Sequence, residues 1–559
     1  KKIRDGRYTQ VRPIEDTVMV WSDEEEKRKR AVLSTTKISF LDQSKRSGFP
    51  KIGFPDEISE GIQTVMGSGM ATGDVDGDGD LDVFVAGIAK NILYINDGSG
   101  KFRKANEEWG IPKDVEDARG VLFVDWNGDS KLDLFIVRSL KPSLLLEQRD
   151  GKFVDVSKES GFITGVGAHV VHAYDFDNDN DLDIYVGYYG ADSFNNGEDR
   201  KQNLPSIDGR NGTHNQLFEY RDGKYVDVAE KLGADDIGWA LAISAWDFDR
   251  DGDFDLYIAN DFGPNVFLEW RDGKYVDVSR STQTADRGGG MNISFTDANN
   301  DGYFDFYISN IDMFSKFVKV IFPTVKTTIK LNRELQESFQ FLNGNRFYIS
   351  HMVDDPKYFV SEEKSRFEPQ EHGWSWAANF FDADNDGDED MYLVNGWIEG
   401  SSAADQANQL FVAEDGSYFV ADMEKKASRN VQYKGNSRSL ITQDFDGDGR
   451  IDILVNNFRS PLKYFKNTSK SKKNWVSFKL VGKGKNTQGI GAVITLKTKK
   501  KTMKRMLLGG DGYLSQHPLL HFGLGSQDTF SYEVLWADGT KTKSHSTANQ
   551  KITVVQDSK

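Results

Sequence analysis

The 559-residue chain contains no cysteine, which excludes a disulfide framework, thiolate metal sites and a cysteine nucleophile. Its 8 histidines are scattered, and the only close pairs are His169/His172 and His517/His521. In a strand, a spacing of three places side chains on opposite faces, so His169 and His172 are not expected to share a ligand. No apolar run approaches the ~18 residues of a membrane span. A nucleophile elbow, a phosphate-binding loop, a zinc signature and a dinucleotide fingerprint are all missing. The chemistry of the chain therefore rests on its carboxylates.

Those carboxylates are ordered. A nine-residue phrase, clearest as Asp74-Val75-Asp76-Gly77-Asp78-Gly79-Asp80-Leu81-Asp82, returns at 125–133, 175–183, 247–255, 297–305, 382–390 and 444–452. Its seven windows hold 31 acidic residues against Lys131, Arg250 and Arg450, a net of −28. Crowding like charges costs free energy, so a repeated acidic cluster implies a repeated cation. Oxygen-bearing side chains fall at positions 1, 3, 5 and 9, and position 7 offers a carbonyl. The candidate ligands are Asp74, Asp76, Asp78 and Asp82; Asp125, Asn127, Asp129 and Asp133; Asp175, Asp177, Asp179 and Asp183. They continue as Asp247, Asp249, Asp251 and Asp255; Asp297, Asn299, Asp301 and Asp305; Asp382, Asp384, Asp386 and Asp390; and Asp444, Asp446, Asp448 and Asp452. Hard oxygens in a Gly-containing turn suit Ca²⁺, which accepts six to eight of them in flexible geometry. The bidentate Glu of an EF-hand is absent, because position 12 is Val85 in the first copy and Val186 in the third. Up to seven calcium ions are expected, with the second copy, which carries Asn127 and Lys131, the weakest.

The first Asp of each copy lies at 74, 125, 175, 247, 297, 382 and 444. A period near 50 built from short strands points to a propeller. Each unit reads as an apolar strand into the loop, an apolar strand out of it, a third strand, an Asp-Gly hairpin turn and a fourth strand. The turns Arg149-Asp150-Gly151-Lys152, Arg221-Asp222-Gly223-Lys224 and Arg271-Asp272-Gly273-Lys274 are nearly identical, and Asp-Gly supplies the positive φ such turns need. The last unit lacks a fourth strand, whereas Phe40-Leu41-Asp42 stands near the N-terminus without a unit of its own. It matches Phe153-Val154-Asp155 and is expected to complete the last blade, which removes exposed sheet edges. The fold class expected is all-β: a seven-bladed, calcium-binding β-propeller closed by an N-terminal strand, plus a small C-terminal antiparallel β domain. An open solenoid is the alternative.

These phrases resemble the FG-GAP/VCBS repeats also found in integrin α-chain heads, over roughly 37–467. After the lysine-rich 470–473 the character changes: 16 Lys/Arg face 5 Asp/Glu from Lys470 to Lys559. Gly489-Ile490-Gly491-Ala492, Gly512-Tyr513-Leu514-Ser515-Gln516, His521-Phe522-Gly523-Leu524-Gly525 and Trp536-Ala537-Asp538-Gly539 resemble the ASPIC/UnbV domain. The pairing implies an extracellular setting and no settled activity. The expected organisation is an N-terminal arm at 1–36, the propeller at 37–468 and the ASPIC/UnbV domain at 474–557.

A secreted, extracellular or surface location is expected, the periplasm or outer membrane included, because the chain lacks cysteine and starts at Lys1 rather than Met. The function expected is a non-enzymatic adhesion or assembly module for carbohydrate, matrix or protein. A polysaccharide-lyase-like enzyme, a biosynthetic accessory protein and a structural subunit are the alternatives. Trp239, Trp374, Trp376 and Trp397 are candidate ligand-contacting aromatics, with blade core the competing role. The insertions Tyr188–Gln216 and 311–342 are candidate binding segments, the latter for partner docking. The basic C-terminal stretch reads as a solvated edge, with binding of an acidic polysaccharide, anionic lipid or nucleic acid and docking on the acidic propeller as alternatives; no specific nucleic acid is expected as partner.

Overall fold

The computed structural model describes residues 38–49, 66–87, 90–113, 115–192, 205–206, 208–311, 344–350, 359–361, 366–367, 373–397, 406–421, 431–510 and 518–557. The N-terminal arm, nearly all of the docking segment 311–342, part of the Tyr188–Gln216 insertion and 512–516 lie outside these residues.

Seven four-stranded antiparallel sheets, the blades of a propeller, occupy the first part of the chain. Blade one runs Met70–Gly73, Asp82–Val85, Ile92–Asn96 and Phe102–Lys104. The inner strands of the next six are Ala118–Val124, Ala168–Tyr174, Ala240–Trp246, Asn292–Thr296, Ser375–Phe381 and Ser437–Gln443. Inner strands such as Ala240–Trp246 are buried at every position. They are flanked by neighbouring blades and therefore read as continuous apolar runs. Fourth strands such as Lys152–Asp155 and Lys224–Asp227 bury a single aromatic, Phe153 and Tyr225. Asp150, Asp222 and Asp272 all sit at φ 50 and are followed by positive-φ glycines, the backbone of a two-residue hairpin turn.

The ring closes as expected. Phe40–Asp42 pairs with Lys463–Asn467, Phe40 opposite Asn467, and Thr468 N donates to Ser39 O at 2.7 Å. Blade seven then joins blade one: Ser439 Oγ and Asn456 Nδ2 both donate to Ser68 O, at 3.0 and 2.9 Å. Ser68 Oγ in turn donates to Ala118 O of blade two at 2.8 Å.

The C-terminal module has two sheets. One is Leu520–Gly525, Asn474–Val481 and Gln550–Val555; the other is Thr502–Met506, Val493–Lys497, Thr529–Leu535 and Lys541–Thr547. Its pairings are antiparallel except that Asn474–Val481 runs parallel to Gln550–Val555. The module sits on the propeller face that carries the seven acidic loops. Among the described residues no helix is long and apolar enough to cross a membrane.

Ring closure makes the N-terminal strand a stability element. Phe40 is 1% exposed and Leu41 is 42% exposed. Phe40→Ala is expected to cost about 3 kcal/mol in urea unfolding, and Leu41→Ala about 0.5 kcal/mol or less. Equal effects would argue that the strand does not close the ring.

Candidate metal centres

Each acidic phrase links the first strand of a blade to the second, and its backbone is the same in every copy. Positions 4 and 6 have positive φ throughout: Gly77 and Gly79, Gly128 and Ser130, Asn178 and Asn180, Arg250 and Gly252, Asn300 and Gly302, Asn385 and Gly387, Gly447 and Gly449. Gly and Asn adopt this region at least cost, which explains their recurrence between the aspartates. The turn folds the position 1 carboxylate over the loop's own amides. Asp175 accepts from Asp179 N and Asn180 N, both at 3.0 Å, and Asp382 accepts from Asp386 N at 3.0 Å and Gly387 N at 2.6 Å.

Position 9 has a second duty that the spacing does not reveal. Asp255 accepts from Phe248 N of its own loop at 3.2 Å and from Trp270 N of the third strand at 2.9 Å. Asp82, Asp133, Asp183, Asp305 and Asp390 repeat this bridge. Asp452 holds Asn467 N and the Tyr464 hydroxyl instead. These aspartates are buried, at 0–3% exposure, and brace the loop to its blade.

The carboxylates converge in five copies. Ligand oxygens of Asp74, Asp76 and Asp78 lie within 4.8 Å of one another, as do those of Asp175, Asp177 and Asp183. The same holds for Asp247, Asp249 and Asp251, for Asp382, Asp384 and Asp386, and for Asp444, Asp446 and Asp448. Among the described residues, copies two and five form no such trio of acids, and Asn127 and Asn299 stand at their third positions. Asp129 and Asp301 lie in the same turns, while Asp179 is outside the trio of copy three.

Without a cation these groups resist ionisation. Burial, offset in part by backbone amides and reinforced by neighbouring carboxylates, pushes Asp82 up to about 7 and Asp255 to about 8. Asp175 rises to about 7 by burial and the charges of Asp179 and Asp177. Asp382 and Asp390 are driven well above the usual range by the same causes. A raised folded pKa means that the ionised loop is penalised above an ordinary value near 3.8. The residues fit a hard cation: three hard oxygens converge, and Asp446 Oδ1 is buried without a hydrogen-bond partner. Ammonium groups partly compensate. Lys479 reaches Asp74 at 3.1 Å, Lys473 reaches Asp384 at 2.8 Å, and Lys466 pairs with Asp446.

The C-terminal module touches all seven loops. Beyond Lys479 at loop one and Lys473 at loop six, Thr487 Oγ1 donates to Asp125 of loop two at 2.6 Å. Lys485 N and Asn486 N donate to Asn180 O of loop three. Gly491 lies so close to Phe254 of loop four that a Cβ there would meet the ring at 2.5 Å. Lys504 Nζ donates to Gly302 O of loop five at 2.7 Å, and Trp475 covers Gly449 of loop seven.

The four candidate tryptophans lie at the opposite end of the blades. Trp239 and Trp376 are fully buried, at 0% exposure, and their indole N–H groups donate to Asn211 Oδ1 and Gly396 O. Trp374 and Trp397 are half-buried and stack with centroids 3.8 Å apart at 6°. The Arg438 guanidinium lies 4.1 Å from the Trp376 ring.

Family models match on both sides of this arrangement: an FG-GAP-like repeat at residues 74–136, 125–186 and 247–308, and ASPIC and UnbV at 482–559. The chain carries FG-GAP-like repeats and an ASPIC/UnbV domain. Cartilage acidic protein 1 of Mus musculus is 30% identical over 180 residues, 31% of this chain and 27% of that protein. The Xenopus tropicalis protein of the same name is 32% identical over 185 residues, 32% of this chain and 27% of that protein. The match thus spans about a quarter of these relatives' length. Among solved structures, BBS1N in complex with ARL6DN aligns over 77% of this chain and 98% of its own at 8% identity and TM-score 0.40. YCF48 bound to D1 peptide aligns over 75% and 96% at 12% identity and TM-score 0.36. Both are too distant to speak to function.

The two duties within an FG-GAP-like loop are separable. Asp255→Ala strands two buried amides and is expected to cost about 2–4 kcal/mol in urea even in chelator. Asp249→Asn is expected to lower the bound-cation count, read by elemental analysis, by one while leaving chelator-treated stability unchanged. A cost of Asp255→Ala seen only with cation present would contradict the brace.

Proposed function

We propose that this protein is an exported, calcium-stabilised, non-catalytic binding module that presents the propeller face opposite its C-terminal cap to a carbohydrate. The observation that carries this reading is the division of labour between the two faces. The loop face carries the candidate cation sites and is covered by the ASPIC/UnbV domain, with contacts at all seven loops. The opposite face receives the ends of the second strands, among them Asp183–Tyr188, Asp305–Ser309 and Asp390–Asn395. Recognition concentrates on loops held by a rigid scaffold.

Calcium is the cation the donors favour, being all oxygen, crowded and held in turns whose geometry Mg²⁺ accommodates poorly. The sites include the trios above, and the asparagine-bearing fifth copy is the weaker candidate. Trp374 and Trp397 form the aromatic edge of the opposite face, where an indole accepts the apolar face of a sugar ring. A calcium-rich compartment outside the cytosol suits such loops, and the lack of cysteine is compatible with it.

Glycan-array binding with and without calcium tests the reading. Binding is expected with calcium and lost, by tenfold or more, in Trp397→Ala with the melting temperature unchanged. Shortening of a polysaccharide with appearance of unsaturated uronate ends would replace this reading with a lyase.

A further inference from the structure

The second acidic loop differs from its siblings in where its lone pairs go. Asp125 Oδ1 accepts from Gly128 N at 2.8 Å and Asp129 N at 3.1 Å. Asp125 Oδ2 accepts from Ser130 N at 2.7 Å and from Thr487 Oγ1 at 2.6 Å. An ionised carboxylate offers about four acceptor directions, and here each is used. The equivalent Asp175 and Asp247 also accept amides of their own loops, and among the described residues no side chain of the C-terminal module donates to either. At position 3 stands neutral Asn127, whose Oδ1 is taken by Asp129 N at 2.9 Å. At position 5, Asp129 is engaged by Lys131 through both N and Nζ, at 3.0 and 3.1 Å. The residues of this copy do not fit a cation.

What fills the loop is a turn of the C-terminal module. Gln488 completes the end of the neighbouring inner strand in both directions: Asp125 N donates to its Oε1 at 3.1 Å, and its Nε2 donates to Phe123 O at 3.2 Å. Two residues earlier, Lys485 N and Asn486 N donate to Asn180 O of loop three at 2.9 and 3.0 Å, and Lys485 Nζ lies 3.9 Å from the Tyr220 ring centroid. The turn is built in advance, because Asn486 exchanges two hydrogen bonds with Ile490, both 2.8 Å.

We propose that loop two holds no cation and is instead a metal-independent latch, its Asp125 carboxylate receiving the Thr487–Gln488 turn that seats the C-terminal module on the ring. Thr487 stands where a cation would draw on Asp125, and Lys131 supplies the positive charge that Asp129 requires. The inference rests on the second loop's own contacts and stands whatever ligand the opposite face takes.

The test uses the full chain and two isosteric pairs. Asp125→Asn is expected to leave the calcium count, read by elemental analysis after gel filtration, unchanged, while Asp175→Asn lowers it by one. Thr487→Val is expected to speed hydrogen exchange at the Lys485 and Asn486 amides about tenfold in calcium, with exchange in blades four to six unchanged. A count reduced by one in Asp125→Asn overturns the proposal, as does unchanged exchange in Thr487→Val. Should Asp125→Asn fail to fold, the count is read on Asp129→Asn, which the latch leaves unchanged and an occupied loop would lower by one.

Discussion

Seven times along this chain, an aspartate must sit where water is scarce and other carboxylates are near. The position 9 side chain lies at the junction of two strands and is buried in every copy, and the position 1 side chain is buried in five of the seven. They hold the turn to the blade by accepting backbone amides, and ionisation strengthens those bonds. Ionisation in that setting is penalised by burial and mutual repulsion. The blade geometry thus needs the charge, and the charge needs a counter-charge. In the loops whose acids converge, a divalent cation would supply it in compact form, and each site occupied at a thousandfold over its dissociation constant would add about 4 kcal/mol.

The C-terminal module meets the same electrostatic demand from above. Its basic excess lies on an acidic ring, and its ammonium groups reach loops one, five and six. Backbone groups and small polar side chains do as much of the docking as charge does. Asn180 O receives two amides, Asn385 O receives Gly525 N at 2.9 Å, and Asn385 Oδ1 meets His521 Nε2 at 2.8 Å. The cap therefore reads the loop backbone, whose shape is fixed by positions 4 and 6. Loop geometry and cap placement are one problem for this fold.

Much of this was legible in the sequence because it is local. The Asp register, the positive-φ residues between the acids, the Asp-Gly turns and the copy of a fourth strand at Phe40–Asp42 are all short-range patterns. The brace role of position 9 was not legible, since its partner Trp270 N sits on a strand fifteen residues away that no spacing rule links to Asp255. Lys541–Thr547 carries no strand signal in the sequence, because its residues are polar and mostly exposed and leave no apolar alternation to detect. The parallel pairing of Asn474–Val481 with Gln550–Val555 joins segments some seventy residues apart, beyond any local signal. Trp239 and Trp376 had two competing roles in the sequence, ligand contact and blade core, and the structure places both in the core.

The central claim is that the propeller's stability is tied to cations in its acidic loops. Urea unfolding of the full chain across free calcium from chelator to millimolar tests it most directly. The account predicts a midpoint that climbs steadily with calcium, by several kcal/mol over the range and through more than one bound ion. A midpoint identical in chelator and in millimolar calcium would contradict it.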